Sequence, residues 1–163
     1  MKTLILLTLC FNLSAQDSIK TRQYLTGEIK FENTVFTSGA EIQAAGKNVY
    51  FFNCRFESVK PALIVKNAAN LIIIGCVLKS DTSHLIVDFC KNVYIYNTRT
   101  FGTSPAFAYE FLSVDKVYID GNANEGNDER EYLRYLRESV FTRSTISSTL
   151  KTQIRTDIDK LLK

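Results

Sequence analysis

Cysteine is scarce in this chain, at four of 163 residues, and histidine occurs once. The cysteines are Cys10, Cys54, Cys76 and Cys90. Cys10 lies in a leader-like N-terminal segment, and its removal leaves an odd set of three, which argues against a disulfide framework. Without further Cys or His ligands beside them they form no metal site, and nothing else in the sequence calls for a cofactor. An excess of one charge is missing as well, since 20 Lys and Arg face 17 Asp and Glu and the basic residues are scattered. A phosphate-binding face needs such residues clustered, so nucleic acid is excluded as an expected partner. Beyond the N-terminus no apolar run approaches the roughly 20 residues that cross a bilayer as a helix, so the mature chain is expected to lack a transmembrane segment.

The chain begins MKTLILLTLCFNLSAQ, with Lys2 as a basic start, an apolar run from Leu4 to Leu13, and the small residues Ser14 and Ala15 before Gln16. That layout is a secretory signal peptide, cleaved near Ala15. Leu9 stands before Cys10, where a lipoprotein site wants a small residue, so lipidation is not expected. The predicted division is a signal peptide at 1–15, a β-repeat domain at 16–126 and an amphipathic helical cap or extension at 127–163. The mature protein is expected in the periplasm or outside the cell.

Internal repetition dominates what remains. NVYFFNCRF from Asn48, NLIIIGCVL from Asn70, NVYIYNTRT from Asn92 and KVYIDGN from Lys116 follow one another at steps of 22, 22 and 24 residues. A weaker copy, IKFENTVF from Ile29, precedes them. Ile29, Val49, Leu71, Val93 and Val117 share one position, and Phe31, Phe51, Ile73, Ile95 and Ile119 another. The alternation has the period of two that marks a strand. A second strand recurs as ALIV from Ala62, HLIV from His84 and AFAYEFL from Ala106, in a register that aligns Leu63, Leu85 and Phe107, and then Val65, Val87 and Tyr109. Coils of this kind cannot bury their apolar faces alone and stack on one another. The expected fold is mainly β, a single-stranded right-handed parallel β-helix of about five coils with a C-terminal α-helical extension.

The repeat pattern of Asn, apolar, x, apolar, x, Asn or Gly, Cys or Thr, x, apolar resembles that of pectin lyase-like right-handed β-helix proteins, over roughly residues 27 to 122. The resemblance implies a fold and leaves activity open, because the group includes lyases, hydrolases, adhesins and non-catalytic surface proteins. Its hydrolases carry Asp-rich and Gly-His-Gly motifs, and this sequence has neither. In such proteins a column like Asn48, Asn70 and Asn92 forms an asparagine ladder at a corner; Asn suits it by satisfying local polar groups and tolerating left-handed backbone.

Candidate functional positions follow from the stacking. Lys66, Asp88 and Glu110 are expected in one outer column, where Asp88 and Glu110 could bind a cation or raise each other's pKa, although Lys66 offsets Asp88 and no Arg or Lys base aligns with them. No catalytic residue is therefore assigned. His84, flanked in its column by Ala62 and Ala106, is expected at a surface or corner. Tyr50, Ile72, Tyr94 and Tyr118 should form one exterior column, with Phe52, Ile74, Tyr96 and Asp120 beside it. Tyrosine faces suit stacking on sugar rings and protein interfaces, which makes Tyr50, Tyr94, Tyr96 and Tyr118 the candidate binding residues.

After Gly121 two amphipathic helices are expected. The first carries Leu133, Leu136 and Val140; the second, starting after Thr142 or Ser144, carries Ile146, Leu150, Ile154, Ile158 and Leu161 on one stripe. They should dock at the C-terminal end of the stack or over the tyrosine columns. Function is expected to be that of an exported non-catalytic binding or structural protein of the cell envelope or secreted fraction. A β-helix face would contact a glycan or an envelope protein, and oligomers would form through the aromatic face or the helices. The alternative is a small polysaccharide-active lyase or hydrolase.

Overall fold

The computed structural model describes residues 22–24, 28–102, 109–124, 130, 133–134, 136–137 and 145–163. The segment read as a leader lies outside them. The described chain winds into a parallel β-solenoid of about four turns, followed by a C-terminal helix at Ser148–Leu161. This is the expected fold class, a parallel β-helix with a C-terminal helical extension, with about four turns where about five coils were expected.

One sheet runs in the order β1 (Arg22–Tyr24), β2 (Glu28–Glu32), β5 (Asn48–Phe52), β7 (Leu63–Ile74), β9 (Leu85–Tyr96) and β11 (Tyr109–Asp120), with β4 (Ala40–Gln43) also beside β7. The other stacks β3 (Val35–Phe36), β6 (Arg55–Ser58), β8 (Val77–Ser80), β10 (Arg99–Gly102) and β12 (Ala123–Asn124). Among the described residues every pairing is parallel except that of β1 with β2, which is antiparallel. The reversed β1 covers the first rung, whose free backbone groups would otherwise template aggregation.

Two columns of left-handed residues make the corners. Asn33, Asn53, Gly75, Asn97 and Gly121 all have φ between 48° and 66°. Each is a residue type that tolerates this conformation. The ladder passes through this corner unbroken, for the amides of Asn33, Asn53, Gly75 and Asn97 donate to the carbonyls of Phe52, Ile74, Tyr96 and Asp120 at 2.9–3.0 Å. The second column is Ala45, Asn67, Phe89 and Ser113. At Asn67, Phe89 and Ser113 the long strands β7, β9 and β11 bend, joining what the sequence presents as two separate strands.

The asparagine ladder forms as expected: Asn70 Nδ2 donates to Asn48 Oδ1 at 2.7 Å, and Asn92 Nδ2 to Asn70 Oδ1 at 2.6 Å. The left-handed backbone, however, lies three residues before each ladder Asn, at Ala45, Asn67 and Phe89. Inside the stack, Val49, Leu71, Val93 and Val117 are at most 1% exposed. Phe31 stacks on Phe51 at 5.1 Å and Phe36 on Phe56 at 4.6 Å, and Phe36 meets Phe51 nearly edge-on. Cys54 and Cys76 lie in the same interior as buried free thiols.

The last rung departs from the expected register. β10 follows β8 at a step of 22, Arg99 opposite Val77 and Gly102 opposite Ser80. Tyr109 then pairs with Leu85 and Phe111 with Val87, a step of 24. Two extra residues therefore fall between Gly102 and Tyr109, a stretch in which residues 103–108, with Phe107, lie outside the described set. Because strand side chains alternate, a slip of two preserves inside and outside while changing every column partner.

The tail meets the end of the stack, the first of the two places expected. The Thr145 amide donates to the Phe111 carbonyl at 3.1 Å, and Thr145 bridges Leu112 in parallel. Leu133, Leu136, Ile146, Leu150, Ile154 and Ile158 join the buried core. The C-terminal helix starts later than expected, at Ser148, because the Ser147 hydroxyl caps it by accepting from the Leu150 amide. Leu161 is 39% exposed and falls off the buried stripe, and Val140 lies outside the described residues.

Candidate functional site

The outer side of β5, β7, β9 and β11 carries the aromatic positions. Lys30, Tyr50, Ile72, Tyr94 and Tyr118 stack in register, and beside them stand Glu32, Phe52, Ile74, Tyr96 and Asp120. Their inward neighbours, such as Phe51, Ile73 and Ile95, fill the core, so the alternation that buries one set presents the other. Parallel strands sit roughly 4.8 Å apart, which is also a stacking distance for rings. Tyr94 and Tyr118 accordingly lie 4.8 Å apart and within 6° of parallel. Tyr94 and Tyr96 are tilted at 6.3 Å, and Tyr50 and Phe52 stack at 6.1 Å.

All four tyrosines are half-buried. The Tyr50 hydroxyl donates to Glu28 Oε1 at 3.3 Å. Burial, and then the Glu28 charge, raise the Tyr50 pKa. The Tyr96 phenol is raised by burial first and then by Tyr94, Asp120 and Tyr118. Such phenols stay neutral across physiological pH and offer ring faces with hydroxyl donors and acceptors, which is a binding chemistry.

The carboxylates are not brought into one column. Asp88 lies between Lys66 and Leu112, whereas Glu110 pairs with Ile86, because of the two-residue shift at β11. Lys66 pairs with Glu41 at 2.7 Å instead of answering Asp88, and Glu110 accepts from the Ser83 hydroxyl. Both carboxylates stay on the outer face without the adjacent-rung juxtaposition that shared-proton or cation chemistry requires.

His84 is the largest departure from expectation. It is fully buried, with Nε2 2.7 Å from the Phe101 carbonyl and Nδ1 without a hydrogen-bond partner among the described residues. Burial lowers its pKa, against a smaller opposing effect of the Phe101 carbonyl. The expected surface or corner position does not hold, because the Phe101 carbonyl gives the buried imidazole a partner inside the stack. Other polar side chains are buried as well: Ser80, Ser83, Thr98, Thr100, Asn122 and Asn124. Asn122 accepts from the Thr98 amide at 2.8 Å and donates to the Ile95 carbonyl at 3.0 Å, and Thr100 donates to Asn124 at 2.7 Å. Cys90 is buried and its thiol pushed up to about 11, chiefly by desolvation, which makes it a poor nucleophile. Among the described residues no group of three or more His, Cys, Asp or Glu is placed to hold a metal ion.

Sequence reasoning missed a second outer surface, on the face of β6, β8 and β10. Arg55, Val77 and Arg99 are successive neighbours on three rungs, as are Glu57, Lys79 and Phe101. Arg55, Val77, Lys79, Arg99, Phe101 and Gly102 line an open groove of about 590 Å³. The signal was present in the 22-residue spacing of these positions, outside the strand that first revealed the repeat. Gly102, at φ 110°, closes one end against the Ser80 carbonyl, where a Cβ would collide.

No protein-family model matches the chain, and neither the curated proteins nor the solved structures yield a match. Among the described residues no helix is long and apolar enough to cross a membrane.

Proposed function

We propose that this chain is an exported, non-catalytic binding or structural protein, periplasmic or secreted, that contacts a glycan or an envelope protein through the tyrosine face of its β-helix. The observation that carries this reading is the half-buried set of Tyr50, Tyr94, Tyr96 and Tyr118 on the outer side of one sheet, with the rings of Tyr94 and Tyr118 stacked on adjacent rungs. Aromatic rings held in register by backbone hydrogen bonds lose little entropy on binding, which favours recognition over chemistry. Likeness to pectin lyase-like proteins is part of the proposal and rests on the repeat pattern alone. The export reading rests on the N-terminal sequence.

A lyase or hydrolase reading has less support, because Asp88 and Glu110 occupy different columns and His84 is buried. The test is a glycan array together with light scattering on the full chain and on a Tyr94→Ser, Tyr118→Ser variant. Binding or self-association lost in the variant supports the face. Release of unsaturated products from acidic polysaccharides, abolished by Asp88→Asn, overturns the non-catalytic reading.

A further inference from the structure

We propose that the groove on the outer face of β6, β8 and β10 is a docking site for an acidic segment of a partner protein, in which carboxylates flank an apolar side chain. This site is separate from the tyrosine face, and either can fail without the other.

Three cations surround the groove. Arg55 and Arg99 lie two rungs apart, roughly 9–10 Å, with Lys79 on the rung between them. One carboxylate, Glu57, pairs with Arg55 at 2.5 Å and is the rung neighbour of Lys79. Among the described residues neither Lys79 nor Arg99 makes an ion pair, so the patch keeps a net positive charge that Glu57 only partly offsets. The rest of the lining is hydrocarbon: Val77 and Phe101 are half-buried, beside the exposed Arg55, Lys79 and Arg99.

The lining selects among anionic partners. Among the described residues it contains no carboxylate, amide or hydroxyl side chain, only charged donors and hydrocarbon. A sugar chain presents hydroxyls that want neutral donors and acceptors, and this surface supplies none. A membrane needs apolar groups standing proud of the cations, whereas Val77 and Phe101 are less exposed than Arg55, Lys79 and Arg99. Nucleic acid needs a longer basic stripe than three residues provide. A peptide with Glu or Asp on either side of Leu or Phe meets all three features: arginine forks bind carboxylates, Lys79 supplies a point charge, and the apolar side chain covers Val77 and Phe101.

The experiment is fluorescence polarisation of the full chain with a short labelled peptide in which Glu flanks Leu. A matched Gln and Leu peptide, phosphatidylglycerol vesicles and single-stranded DNA serve as comparisons. The expected result is salt-sensitive binding of the Glu peptide alone, weakened about tenfold or more by Lys79→Gln with Arg99→Gln, and weakened also by Phe101→Ala. These exposed charges should leave the melting temperature unchanged, which separates lost recognition from lost folding. Absence of binding, equal binding of the Gln peptide, binding indifferent to the Lys79 and Arg99 substitutions, or stronger binding of vesicles or DNA through the same residues would each overturn the proposal.

Discussion

Single residues in this solenoid are judged by what the neighbouring rungs place beside them. Ile73 sits between Phe51 and Ile95 with no exposure, so Ile73→Asp would bury a charge without a partner. The variant is expected to be unfolded or to lose several kcal/mol, of the order seen for unpaired buried charge, as circular dichroism and urea titration would register. His84 makes the opposite case, a polar ring that is tolerated inside because it is neutral. Its folded pKa lies below the unfolded value of about 6.5, so the unfolded chain binds the proton more readily. The stability this neutral ring secures is complete above about pH 6.5 and is lost as pH falls from there through the depressed folded value. The urea midpoint should therefore drop between neutral and mildly acidic pH, and His84→Gln should flatten that drop. An identical pH profile in the variant would assign the acid sensitivity to other groups.

At the scale of elements, the corners and the ends hold what the strands cannot. Each rung-to-rung asparagine bond is worth about 1 kcal/mol net, and Asn70 makes one on each side. Asn70→Ala should therefore cost about 2 kcal/mol, read as a shift in urea midpoint, because it also leaves Asn48 and Asn92 each short of a partner. The last rung needs cover as the first one does. Six buried apolar side chains of the tail supply it, each worth about 1.5–3 kcal/mol if fully transferred from water. Removing the chain after Gly126 is expected to lower stability and to drive association through the bared end of β11, with size-exclusion light scattering as the measurement. A truncated protein that stayed monomeric and equally stable would show the tail to be dispensable for the solenoid. The ion pair of Arg137 with Asp159 at 2.6 Å ties the helical residues together at the surface, where such a pair contributes at most about 1 kcal/mol.

Taken as a whole, the described residues form a stack of about four turns with two unlike outer faces. One is lined by tyrosine rings and the other by cations beside hydrocarbon, and these are the sides proposed above for recognition. What the sequence by itself determined is the rung: the period of 22 and the alternation within it set which residues point inward, so the columns through Val49 and Phe51 were legible, as were Tyr50, Tyr94 and Tyr118 outside. Period-two alternation carries that information without any knowledge of the neighbours. Only the tertiary structure decided which residues meet across rungs. Two extra residues before Tyr109 moved Glu110 away from Asp88, the Phe101 carbonyl took up a histidine that looked like a surface residue, and three cations on three successive turns came to line one groove. Those outcomes depend on cumulative register and on whether a polar group finds a partner inside, and both are properties of the stacked whole.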